Sequence, residues 1–132
     1  MSSNSIVSGL AAAIAGALAI VAAPAHAAGG VTLENRLQAC VAIQPDMRTV
    51  EHGVALQGVT LDVRKPIGEC GCKSAIMSYA SQVVLAGGAR SPLQQGQLNA
   101  AGSGPRTVVL ASDTTLVADR PLTLTFECAP AR

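Results

Sequence analysis

The stretch Leu122-Thr123-Leu124-Thr125-Phe126-Glu127-Cys128 decides the fold class of this chain. Its apolar residues alternate strictly with polar ones, so that an extended strand would carry all of the apolar side chains on one face. A strand with one apolar and one polar face is typical of an antiparallel sheet that covers a core on one side. The stretch therefore predicts a β-strand whose terminal cysteine points towards the core.

Further strand patterns precede this stretch, and glycine- and proline-rich turns separate them. Because Gly58 shifts the apolar phase of its strand, we expect a bulge or bend there. A long apolar run is expected to bend or to split near Ser81-Gln82, since most strands have about 5–6 residues. The strand predictions are Val54–Val63, Cys70–Leu85, Gln94–Asn99, Thr107–Ala111, a brief edge strand at Leu116-Val117, and the closing stretch 122–128.

One segment has a helical rather than a strand-like period. Leu33, Leu37 and Val41 recur at helical spacing, and Thr32 is a suitable cap, which predicts one or two helical turns running into a strand that Pro45 closes. No longer amphipathic helix is indicated anywhere in the chain. Short strands between turns predict a mainly β fold, namely a small antiparallel immunoglobulin-like sandwich.

The first part of the chain has the pattern of an export signal. Residues 1–33 contain no charged side chain, and the run Leu10–Ala23 is wholly apolar apart from one glycine. The small-residue pattern Ala25-His26-Ala27 follows, as in a secretory cleavage site. The run is shorter than the roughly 20 residues that span a bilayer. We therefore expect a cleaved signal helix over residues 1–27, a single sandwich domain over residues 28–132, a periplasmic location and no membrane association after cleavage.

The four cysteines, Cys40, Cys70, Cys72 and Cys128, predict a disulfide framework. An even number of cysteines in an exported chain usually forms disulfides. A bridge between Cys70 and Cys72 is the least favourable, because one intervening residue would strain the ring. On a strand both would face the core, so that one reaches Cys40 and the other Cys128. Which of them takes which partner stays open. Each bridge would contribute roughly 4 kcal/mol in the chain-entropy model.

Two chemical alternatives exist for the same cysteines. A Cys-x-Cys pair in thiolate form binds copper or zinc, and a reduced pair exchanges with other disulfides. Both need free thiols in an oxidising compartment. Only one histidine, His52, remains after cleavage, so the sequence favours structural disulfides and no metal site.

Other classes of function find little support in the composition. A net charge of +1, with one tyrosine and one phenylalanine, disfavours nucleic-acid binding. No catalytic motif accompanies His52, so we expect no enzyme and no cofactor. Tyr79 and Phe126 have core positions by period. Solvated loop charges are expected at Arg64, Lys65 and Arg106, and turn roles at Asp113 and Asp119.

The stretch Glu69-Cys70-Gly71-Cys72-Lys73-Ser74-Ala75, with Tyr79 beyond it, resembles a family of small secreted bacterial proteins of unknown function. The segments Leu33-Glu34-Asn35 and Val109-Leu110-Ala111-Ser112-Asp113 extend the likeness. This resemblance implies a periplasmic protein but no activity. A looser likeness, around Gly96 and Thr107–Leu110, runs to periplasmic inhibitors of curli amyloid assembly.

From these observations we expect a monomeric, non-enzymatic binding or chaperone-like accessory protein. Sheet edges are natural docking sites for extended segments, so its partner would be a protein or peptide. The alternatives are a thiol-based metal-binding protein and a curli-type inhibitor.

Overall fold

The computed structural model describes residues 30–131, which form seven strands and three short 3-10 turns. The strands are β1 (Val31–Asn35), β2 (Val41–Glu51), β3 (Val54–Val63), β4 (Ile76–Val84), β5 (Arg90–Asn99), β6 (Gly104–Ala111) and β7 (Leu122–Cys128). The 3-10 turns are Ile67–Cys70, Ala86–Gly88 and Thr114–Leu116. Within the described range no helix has the length and apolarity needed to cross a bilayer. The predicted signal helix, residues 1–27, lies outside the described residues.

The strands form two sheets, which confirms the mainly β, two-sheet architecture. One sheet has the order β1-β7-β4-β5 and the other the order β2-β3-β6. Strand β1 runs parallel to β7, and the remaining pairs are antiparallel. This order differs from the constant-type immunoglobulin order, in which the first strand neighbours the second. The difference follows from β1 pairing with the end of the chain, so that β7 lies inside the sheet.

The core lies between the two sheets and is built from alternate residues of the long strands. Buried and half-buried positions alternate along the whole of β4 and along β3 from Val54 to Leu61, as a sheet with one face on the core requires. Phe126 of β7 is fully buried, as the sequence predicts for that strand. The bounds predicted for β3 and β7 are confirmed without change.

The helix predicted from Leu33 to Val41 is wrong. Val31–Asn35 is a strand whose residues pair in register with β7, from Val31 opposite Leu122 to Asn35 opposite Phe126. A turn then leads to the buried Cys40, with the backbone N–H of Val41 donating to the carbonyl of Leu37. Pairing with a distant strand thus outweighs the local helical period, because β7 offers a complete ladder of backbone partners.

Strand β2 passes beyond Pro45, where we expected it to close. The strand is at the edge of its sheet, where proline is tolerated, and a bulge follows Pro45. The bulge faces Gly58, so the distortion expected at this glycine is present, although the extra residues belong to β2. A Cβ on Gly58 would lie 3.2 Å from the Cβ of Asp46, which explains why glycine fits there.

The long strand predicted from Cys70 to Leu85 is also wrong in its first part. Strand β4 begins only at Ile76, and Cys70 ends a 3-10 turn. The break expected near Ser81-Gln82 takes the form of a bulge on the neighbouring strand β5, while β4 itself is continuous. The predicted edge strand at Leu116-Val117 is instead part of a 3-10 turn and its cap, where the carboxylate of Asp113 accepts from the backbone N–H of Thr115.

Candidate functional site

The structure joins the four cysteines in two disulfides, Cys40–Cys70 and Cys72–Cys128. The bridges connect Cα atoms 6.3 Å and 5.1 Å apart and span 30 and 56 residues of sequence. They resolve the pairing that the sequence left open. Because all four sulfurs are paired, none is available as a thiolate ligand in this structure.

The segment between the bridged cysteines explains why the motif reads Cys-Gly-Cys. Gly71 has a φ of +94°, a left-handed conformation that favours glycine, and it reverses the chain after the 3-10 turn. The N–H groups of Gly71 and Cys72 donate to the carbonyls of Gly68 and Ile67. The sequence predicts that Cys70 and Cys72 share one face of a strand, and this prediction is wrong. The turn directs each sulfur to a different partner.

Two further backbone hydrogen bonds tie the loop after β3 to the end of the turn that precedes β2. The carbonyl of Cys40 accepts from the N–H groups of Arg64 (2.8 Å) and Lys65 (3.2 Å). The side chain of Ile67 is buried in the core below. The loop after β3 is thus held by a disulfide, by two hydrogen bonds and by an apolar anchor, which makes it a firm wall for any site beside it.

Beside this wall lies a cleft of about 460 Å³, which we call the lysine cleft. Its accessible apolar side chains include the half-buried Val63 and the exposed Pro66 and Ala101, whereas the lining residues Ile67 and Ala100 are almost fully buried. The segment after Cys72 also lines the cleft. The residues that line it are Val63, Arg64, Lys65, Pro66, Ile67, Gly68, Cys72, Lys73, Ser74, Ala75, Ala100 and Ala101. The cleft therefore combines an apolar floor with side chains that carry positive charge.

The charge of the lysine cleft has one sign. Lys65 and Lys73 are the two lysines of the sequence, and both line it, together with Arg64. No carboxylate is among its lining residues. Arg64 forms an exposed ion pair with Asp62, with 3.4 Å between Nε and Oδ2. Neither lysine forms an ion pair within residues 30–131. The two ammonium groups are thus free to meet an anionic ligand.

Two smaller depressions, of about 380 and 310 Å³, continue from the lysine cleft across the outer side of the four-stranded sheet. The first shares Lys73 and Ser74 with the cleft and extends to Ile76 and Gln97. The second shares Gln97 and reaches Gln95 and Glu127, among others. Successive depressions with shared walls give the cleft an extension along β4 and β5.

Tyr79 and Phe126 have structural roles, as their periods predict. The hydroxyl of Tyr79 accepts from the backbone N–H of Val109 at 3.1 Å, which links the two sheets. The ring lies over Gly96, where a Cβ would come within 2.5 Å of it. Nearby, the buried hydroxyl of Ser81 donates to the carbonyl of Leu110 at 2.5 Å. These contacts form a seam along one side of the sandwich.

Other residues that the sequence singled out do not join the cleft. His52 occupies an exposed turn with a positive φ, and Asp119 is exposed. Arg106, expected to be a solvated charge, instead donates to the carbonyls of Asn99 and Gly102 and so braces the loop before β6. In the part of the chain that the structure describes, no three metal-ligating side chains lie close enough to hold an ion.

Sequence reasoning missed the cleft because it treated Lys65 as a solvated loop charge and gave Lys73 no role. A signal was present: the two lysines of the chain flank the Cys-Gly-Cys turn on either side, within nine positions. Both lysines line the cleft beside this turn. The cleft could have been predicted only by considering the disulfides and the two flanking lysines together.

Residues 10–131 match the protein family described as "Uncharacterized protein conserved in bacteria (DUF2195)". The chain belongs to this family. The match agrees with the resemblance to an uncharacterised bacterial family, while the secreted nature of the protein stays a prediction. No curated protein and no solved structure matches the chain. The geometry of the lysine cleft is therefore the basis for any statement about function.

Proposed function

We propose that this protein is a periplasmic, non-enzymatic binding module that takes an anionic ligand with an apolar part in the lysine cleft. The observation that carries the proposal is the convergence of Lys65 and Lys73 on a cleft with an apolar floor and no carboxylate. A pocket of a few hundred Å³ with an apolar lining and a few oriented charges is the usual form of a small-ligand site.

The covalent framework supports the periplasmic part of this proposal. Disulfides persist in oxidising compartments, and the apolar run before Ala27 has the pattern of an export signal. The same bridges support a binding role rather than a catalytic one, because they hold the cleft walls in place without leaving a reactive sulfur. A preformed site loses less conformational entropy when a ligand binds.

The experiment that tests the proposal uses anilinonaphthalene sulfonate, a probe with an apolar body and one anionic group. It is titrated into isotope-labelled protein purified from a periplasmic expression host. We expect amide shifts confined to Val63–Ala75 and Ala100-Ala101, and weaker binding by Lys73→Gln. The matched control is Arg120→Gln, which removes an exposed positive charge away from the cleft and should bind as the unchanged protein does. Shifts elsewhere, or equal binding by both variants, would overturn the proposal.

A second candidate is the chaperone-like capture of extended segments at the edge strand β2. This strand exposes Met47 and Val50, at 75% and 60% of their surface, beside an unpaired sheet edge. Strand addition to such an edge uses backbone hydrogen bonds and alternate side chains. The curli-type alternative belongs to this mode. If it operates, the protein delays fibril growth of an amyloid-forming peptide, Met47→Lys abolishes the delay, and the control Leu85→Lys does not; an equal delay by both variants contradicts it.

A further inference from the structure

We propose that the lysine cleft recognises the C-terminal end of a polypeptide, with its free carboxylate between Lys65 and Lys73. This inference rests on the proposed function, since it names the ligand of the same site. It is carried by the juxtaposition of the cationic cleft with the depressions that extend from it along β4 and β5. The ligand must therefore be anionic at one end and extended beyond it.

The end of the ligand is defined by the charges. Two ammonium groups with no partner among the described residues suit a compact anion such as a carboxylate. In the same cleft, the half-buried Val63 and the exposed Pro66 and Ala101 offer an apolar surface of limited size. This surface fits one aliphatic side chain, so the last residue of the peptide is expected to be valine, leucine or isoleucine.

The body of the ligand is defined by the mixed surface beyond Lys73, where exposed amides lie among apolar residues such as Ile76 and Ala129. Gln97 lines both depressions and Gln95 lines the second, and both side chains are exposed. A glutamine amide donates and accepts hydrogen bonds, as a peptide group does. An alkyl chain laid over these amides would remove them from water without replacing their hydrogen bonds, which is unfavourable. A peptide main chain therefore suits this surface better than the tail of a fatty acid.

The length of the surface is compatible with a short extended segment. The depressions follow β4 from Ile76 to Ala80, which at about 3.3 Å per residue is roughly 13 Å. With the cleft itself, the surface accommodates about five residues of peptide. Specificity would then come from the carboxylate and the last side chain, while the preceding residues contribute main-chain contacts.

Fluorescence polarisation tests the inference with a labelled hexapeptide that ends in valine and carries a free carboxylate. The matched control peptide has the same sequence and a C-terminal amide. We expect the amide to bind roughly three- to tenfold more weakly, because partly exposed charge pairs contribute about that much. The double variant Lys65→Gln/Lys73→Gln should bind both peptides with the same weak affinity. Lys73→Arg should keep most of the preference for the free carboxylate, and Arg120→Gln should keep all of it.

Decanoate, added as a competitor, separates a peptide from a fatty acid. The inference is supported if decanoate displaces the hexapeptide only at decanoate concentrations far above the dissociation constant of the hexapeptide. Tighter binding of decanoate than of the hexapeptide overturns it, and so does equal binding of the free and amidated peptides. If either result is found while anilinonaphthalene sulfonate still shifts the amide signals of the cleft, the proposed binding function is supported and the ligand is of another class. Thermal unfolding of each variant verifies that the lysine substitutions leave the fold intact.

Discussion

The two ends of the sandwich are held together by different means. The bridged end, where both disulfides lie, consists of the turn that ends at Cys40, residues 64–75, the loop before β6 and the end of β7. At the open end, turns such as His52-Gly53 and residues 112–121 are held by hydrogen bonds, including one from the N–H of Thr114 to the carbonyl of Gly53. The cleft lies at the bridged end, so covalent constraint and binding surface coincide.

The open end also carries the unfavourable backbone conformations. His52 and Ala118, with φ of 49° and 46°, are the two non-glycine residues in residues 30–131 with positive φ. Leu85 and Leu116 are partly exposed there. The comparison shows that this fold concentrates its strongest constraints where the loops form a cleft and leaves the other end to local turn chemistry. Local opening is therefore expected to begin at the open end.

The largest effect should come from removing a bridge. Replacing Cys72 and Cys128 together by alanine is expected to lower the free energy of unfolding by about 4 kcal/mol, since the bridge closes a loop of 56 residues. The pair Cys40 and Cys70, which closes 30 residues, should cost slightly less. Urea unfolding of both double variants measures this. A loss below about 1 kcal/mol for either would show that the bridged end does not depend on its sulfurs.

The seam of contacts that links the two sheets at Tyr79 provides the next test. Gly96→Ala would place a Cβ 2.5 Å from the ring of Tyr79, which must move and give up its bond to Val109. We expect a loss of about 2 kcal/mol, as for other forced overpacking. Gly102→Ala is the matched control, because nothing lies within 4 Å of its added methyl group. Equal urea midpoints for the two variants would mean that the ring is free to shift.

The parts of the fold that the sequence predicts well are those whose pattern is local. Strands β3 and β7 each contain a run of alternating apolar and polar residues, Val59–Val63 and Leu122–Cys128, and the predicted bounds of both strands agree with the structure. The even cysteine count predicted disulfides without reference to the fold. Strand β1 was missed because its partner is at the other end of the chain, and a parallel pair leaves no hairpin turn to mark it.

The candidate site was predictable only in its sulfur chemistry. The sequence predicts different partners for Cys70 and Cys72, but which partner each takes depends on the turn at Gly71, whose positive φ strand periodicity does not reveal. The lysine cleft needs the loop after β3 and the loop before β6 to meet, and these are some forty positions apart, from Arg64 to Ala101. Loops brought together by topology carry no short-range sequence signal, so the site emerges only from the three-dimensional arrangement.

Removal of the Asp113 carboxylate, at the open end, is expected to have a smaller effect on the free energy of unfolding. Its carboxylate accepts from the backbone N–H and the hydroxyl of Thr115, and these bonds lower its pKa below 3.8. Because the pKa of this carboxyl is lower in the folded than in the unfolded chain, its ionised form stabilises the fold at a pH above the unfolded-state pKa. This stabilisation is lost as the pH falls through the folded-state pKa. Asp113→Ala should therefore unfold at lower urea concentration than Asp119→Ala at pH 7, with the gap closing below pH 3.8. A gap that persists in acid would exclude the carboxylate as its cause.

The smallest effect concerns the strain at Ala118. With φ of 46°, an alanine holds a conformation that glycine adopts without steric penalty, and the site is an exposed turn of the open end. Ala118→Gly relieves this strain but gives the unfolded chain more freedom, so the net gain should be small, about 0.5 kcal/mol. Ala39→Gly, in an exposed turn without positive φ near the bridged end, should lose stability instead. Opposite signs in thermal unfolding would show that Ala118 holds a backbone strain that an ordinary turn alanine such as Ala39 does not. A loss in both variants would remove strain as a distinction between the two ends.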